Sequence, residues 1–175
     1  MRPSDHSALW AKKIENNLFF ETIQEPLAKG EKVWITARGN SMYPLVRSDI
    51  DAVLLQPTDP NRAQVGQVLL AKVGERYIMH RVEKILGEQI TLRGDGNPYQ
   101  REQCRRASLI AEMVAVKRPN GRVYDKNSTL WKRVQAYWPA NGHLRRLILA
   151  LLRRIIPKQF GAQRPGRQHL AAPTA

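Results

Sequence analysis

A serine follows a β-rich run in Arg38-Gly39-Asn40-Ser41-Met42-Tyr43-Pro44-Leu45, with Ser48-Asp49-Ile50-Asp51 close behind. Gly39 allows a sharp bend that turns the Ser41 hydroxyl and its own N–H toward a substrate. Pro44 fixes the geometry of the exit. A serine hydroxyl is almost fully protonated at neutral pH, so it needs a base to become a nucleophile. His80, inside Tyr77-Ile78-Met79-His80-Arg81-Val82, can take that proton and later return it to a leaving amine. A carboxylate would fix the imidazole tautomer and stabilise the imidazolium. Two candidates follow along the chain: Asp95 in Leu92-Arg93-Gly94-Asp95-Gly96-Asn97-Pro98, and Glu102. The expected chemistry is hydrolysis through an acyl-serine. Cys104 reads as a small buried residue, since nothing near it in sequence lowers its pKa. Four histidines and one cysteine, without a Cys pair or HExxH, argue against a dedicated metal site, and no cofactor is implied.

These side chains need rigid elements to hold them. Residues 7–29 carry apolar side chains at helical spacing (Leu9, Trp10, Ile14, Leu18, Phe19, Ile23), with Ser7 as cap and Gly30 as stop. Segment 1–30 is thus expected to be a helix packing on the body. The period then becomes that of strands, at 32–38, 50–56, 67–73, 77–85, 89–93 and 109–117, with turn residues between. The expected class is mainly β, a compact antiparallel core over 31–125 with flanking N- and C-terminal helices. Segment 126–157 turns helical again, with Ser128 as a cap and Pro139-Ala140-Asn141-Gly142 as a break. In 143–156, Leu144, Leu147, Ile148, Leu151, Leu152 and Ile155 are assigned to one side, and Arg145, Arg146, Arg153 and Arg154 to the other. Residues 158–175, rich in Gly, Pro, Gln, Arg and Ala, read as a disordered tail.

Taken in order, Ser-Met-x-Pro, an Asp five residues on, Gly-x-Val, His-Arg-Val and Gly-Asp-x-Asn resemble the type I signal peptidase and LexA-like serine peptidase superfamily over roughly 31–117. The resemblance implies a mostly β catalytic core. It implies Ser41 as nucleophile and, where most bacterial members carry a lysine, His80 as general base, with Gly39, Asn40, Met42 and Pro44 shaping the substrate site. This is similar to the histidine-type signal peptidases. Those carry a further Asp some six residues beyond Gly-Asp; here Gln100 and Arg101 stand there, with Glu102 next. The third member therefore stays open between Asp95 and Glu102. Gly-Asn-Ser replaces Ser-Gly-Ser, which leaves the oxyanion to backbone N–H groups with Asn40 beside them. The substrate would be a peptide or protein lying extended along a strand edge.

Charge points to the surroundings. Of 175 residues, 29 are Lys or Arg and 15 Asp or Glu, a net of +14. Residues 126–175 hold ten of the cations and no acid, so the first 125 residues carry a net of only +4. Such asymmetry suits an anionic partner. For 143–156, packing on the body and an anionic membrane surface are level expectations, the latter helped by Trp131, Tyr137 and Trp138. Nucleic acid ranks third, because no aromatics are interleaved with the arginines. About 21 Å of helix is too short for the roughly 30 Å hydrocarbon core. A non-catalytic peptide-binding or regulatory module, and a cationic scaffold, are the competing function classes. With a passive tail, deleting 126–175 would spare cleavage in a soluble assay. One unpaired cysteine, no apolar leader and the basic tail favour the cytoplasm, with peripheral attachment to the inner face of a membrane as the variant.

Overall fold

Strands with apolar side chains pointing both ways need cover on both faces, and the central strands here obtain it from one curled sheet. The computed structural model describes residues 22–155. Its strands are β1 (Val33–Thr36), β2 (Ala52–Pro57), β3 (Val68–Val73), β4 (Arg76–Leu86), β5 (Gln89–Arg93), β6 (Glu102–Arg105), β7 (Leu109–Lys117) and β8 (Val123–Asp125). They form an antiparallel sheet in the order β1-β2-β7-β3-β4-β5-β6, with β8 paired to β7. Helices flank it: α1 over residues 22–28, α2 (Thr129–Tyr137) and α3 (Gly142–Ile155). The protein is mainly β, as the sequence predicts.

β3 shows how the core is divided. Val68 and Leu70 face a cluster with Met42, Leu45, Val46, Met113 and Trp131. Leu69 and Ala71, at the alternate positions, face a second cluster with Val82, Ile90 and Leu92. Register shifts at Leu54/Leu55, Leu70/Ala71 and Val82/Lys84 bend the strands and curl the sheet. Gly87 takes a φ of +56° between β4 and β5, which a residue with a side chain seldom adopts.

β6 and β8 escape the sequence reading. Glu-Gln-Cys-Arg has no apolar alternation, and β8 has three residues. Ile23 and Leu27 of α1 enter the core, and Gly30 closes the helix with its N–H on the Leu27 carbonyl at 3.1 Å. Residues 7–21, the Ser7 cap and the 158–175 tail lie outside the described residues. Ser128 Oγ accepts from the Trp131 N–H at 3.4 Å, and Asn141 Oδ1 caps α3 through the His143 N–H at 2.9 Å.

The faces of the C-terminal helices correct the expectation. Arg145, assigned to the polar side, is 6% exposed, while Leu144, Leu147 and Leu151 are open to solvent. Arg145 turns inward because its guanidinium meets backbone carbonyls that a leucine could not satisfy: Gly94 and Pro139, each at 3.0 Å. Trp131 lies in the core, and half-buried Trp138 donates its Nε1–H to the Asp95 carbonyl at 2.9 Å. Only Tyr137 of the three aromatics stands exposed.

Candidate active site

Ser41 sits in the loop joining β1 to β2, and buried anchors shape that loop. Asp51 is fully buried and accepts from the Arg47 backbone N–H at 2.7 Å, from Arg47 Nη2 at 2.8 Å and from Arg118 Nη1. The Gly39 N–H donates to Ser48 Oγ at 2.8 Å, with a φ of +92° at Gly39 that favours glycine. Met42, Leu45 and Val46 plug the core beneath. The Tyr43–Pro44 peptide bond is cis.

β4 supplies the histidine. His80 is 4% exposed, and its Nδ1 lies 2.9 Å from Glu102 Oε2 on β6. Glu102 is itself 8% exposed and its Oε1 accepts from Gln100 Nε2 at 2.8 Å. Burial pushes the His80 pKa below the ordinary histidine value; the Glu102 carboxylate opposes this but does not reverse it. The ring is therefore neutral near pH 7. With Nδ1–H engaged by the carboxylate, Nε2 is left as the free acceptor. That nitrogen faces the start of the Gly94–Asn97 turn: a Cβ built on Gly94 would stand 3.1 Å from it.

The turn itself backs the serine. The Gly96 N–H donates to the Ser41 carbonyl at 2.7 Å. A side chain on Gly94 would collide with the Ser41 carbonyl, and one on Gly96 with the Asn40 carbonyl. Both glycines are required here by close backbone approach, not by an unusual φ. Of the two carboxylates weighed for the imidazole, Glu102 is the one in contact. Asp95 is fully buried and forks onto Arg81, Oδ1 to Nε at 2.9 Å and Oδ2 to Nη2 at 2.6 Å.

A cavity of about 130 Å³ opens beside these groups, its wall including Gly39, Ser41, Met42, Val46, Met79 and His80. Ser41 and His80 thus share one surface. No hydrogen bond joins the Ser41 hydroxyl to the imidazole among the described residues. Asn40 and Pro44, expected to touch substrate, do not line this cavity. Asn40 instead gives its carbonyl to the Tyr43 N–H at 3.2 Å. Burial raises the pKa of Cys104, which leaves it a poor nucleophile. No group of three metal-ligating side chains occurs among the described residues.

Several supporting residues escaped the sequence reading. Arg93, 2% exposed, binds Glu83 at 2.9 Å and the carbonyls of Asn97 at 3.2 Å and Ala140 at 2.7 Å. Arg145 and Trp138 hold the Gly94 and Asp95 carbonyls from the C-terminal helices. For Arg145 a signal existed: with Leu149 and Leu152 it occupies i, i+4 and i+7 of one helix side.

Among known proteins, residues 8–116 match the family described as Peptidase S24-like. No curated protein matches the chain. The matched stretch spans the serine loop, the histidine strand and both carboxylates, and it stops before α2 and α3.

Proposed function

The chain belongs to the Peptidase S24-like family, and from that premise we propose that it is a serine endopeptidase working through an acyl-enzyme on Ser41. One observation carries this reading: a buried, neutral His80, held at Nδ1 by Glu102, shares a cavity wall with an otherwise unbonded Ser41 hydroxyl. Catalytic hydrogen bonds are often long before substrate binds, so the open Ser41–His80 geometry suits a resting site.

In the proposed reaction Ser41 Oγ attacks the scissile carbonyl carbon while His80 Nε2 takes the hydroxyl proton. Glu102 stabilises the imidazolium that forms. The Ser41 N–H donates no hydrogen bond among the described residues and can meet the developing oxyanion. As the C–N bond breaks, the imidazolium proton passes to the leaving amine, giving the acyl-serine and a new N-terminus. Water then attacks the ester carbonyl as His80 accepts its proton, and as the C–Oγ bond breaks His80 returns that proton to Ser41 Oγ, releasing the new C-terminus. The substrate is a peptide in extended form.

The test is cleavage of a diverse peptide pool, with new termini read by mass spectrometry. Wild type should cut, and Ser41→Ala and His80→Ala should each lose roughly 10⁴-fold or more in rate. Cleavage that survives Ser41→Ala overturns the nucleophile. A folded wild-type chain that binds peptides without cutting them establishes a binding module instead.

A further inference from the structure

α3 has more apolar surface than the body covers. Arg145, bonded to the Gly94 and Pro139 carbonyls, and Leu149 are buried, and Ile148 and Leu152 are half-covered. Leu144, Leu147 and Leu151 form the next stripe around the helix, and they are 49%, 68% and 57% exposed. Beyond that stripe come Arg154, Arg146 and Arg153, all exposed. The helix is fixed from beneath by the Arg145 contacts, so the leucine stripe is held outward.

We propose that this open face of α3 docks on an anionic lipid surface, with the leucines entering the interface and the arginines meeting the headgroups. The proposal goes beyond the peptidase reading and does not depend on it. Charge complementarity selects the occupant. No Asp or Glu follows Asp125, while Lys132 and Arg133 of α2 are further exposed cations. A second copy of this chain on a two-fold axis would bring like arginine rows together in a protein of net charge +14. Nucleic acid would engage the arginines but would leave three leucines against phosphate. An apolar stripe bordered by arginines is the pattern of a helix lying in a membrane interface. No helix of the described residues is long and apolar enough to cross a membrane.

The experiment is cosedimentation of the full-length Ser41→Ala chain with vesicles of equimolar phosphatidylglycerol and phosphatidylcholine, or of phosphatidylcholine alone. The expected result is pelleting with the anionic vesicles only, weakened by added salt. Joint replacement Leu144→Gln, Leu147→Gln and Leu151→Gln should weaken binding about a hundredfold without changing the melting temperature. Joint Arg146→Gln, Arg153→Gln and Arg154→Gln should cost about a hundredfold at low salt. The proposal falls if neither vesicle pellets the protein or if the leucine variant binds as well as its parent, which would assign binding to the tail charge alone. It also falls if a single-stranded oligonucleotide is bound in preference to vesicles, or if the stripe mediates a dimer that the leucine variant loses.

Discussion

His80 is subject to opposed influences: burial disfavours its charged form, Glu102 favours it, and burial prevails. The sign for activity follows, because a base must be neutral to work. The acidic limb of kcat/KM should lie below the ordinary histidine value of 6.5. Glu102→Gln removes the opposing influence, so the limb should move to still lower pH. The rate at its plateau should fall about 10²–10⁴-fold, as the imidazolium loses its partner. A pH–rate profile of both proteins checks this, and a limb that moves upward would overturn the assigned contact. The same shift bears on stability. A folded pKa below the unfolded one means that the unfolded chain binds more protons. The contribution is therefore complete above 6.5 and is lost as the pH falls through the folded value. Ser41 and His80 were legible because each lies in a short ordered motif. Glu102 was not separable from Asp95, since the choice depends on strand register. Glu102 pairs across with Leu92, which pairs with Val82, two residues beyond His80 on the same face. Arg81, between them, points the other way and takes Asp95.

Among elements, the turn at Gly94–Asn97 is the piece on which the serine loop rests. Gly96→Ala would push a methyl into the Asn40 carbonyl, which should destabilise the protein by about 1–3 kcal/mol and displace Ser41. Urea unfolding and the rate with a peptide substrate measure the two effects, and an alanine variant with unchanged kcat would show that the turn does not position the serine. On the far side of the turn, Arg145→Met would leave the Gly94 and Pro139 carbonyls without this donor, at a cost of about 2–4 kcal/mol. The strands of this layer were readable where apolar residues alternate, as in β3 and β7. β6 was not, because its place at the sheet edge demands little apolar surface. α3 was found as a helix, but Arg145, assigned to its polar side, is the residue that turns inward. Periodicity counts leucines, whereas burial here was decided by carbonyls that only a donor could satisfy.

For the whole molecule, the near-balanced charge of the first 125 residues suggested a body with a detachable basic appendage. The structure joins the two. Trp131 is 3% exposed in the main core, and Trp138 and Arg145 seal the turn behind Ser41, although the family match ends at residue 116. A chain ending at Asp125 should therefore lose at least about 5 kcal/mol, a large part of an ordinary domain's stability. Urea unfolding of that chain against the full one measures the loss, and equal midpoints would show that the helices are passive. The contacts from α2 and α3 also set an order in time. Synthesis makes Ser41, His80 and Glu102 before either of these helices, but the carbonyls of Gly94 and Asp95 gain their partners only after Trp138 and Arg145 have left the ribosome. The backing of the serine loop is thus completed only after the residues nearest the proposed chemistry have been made.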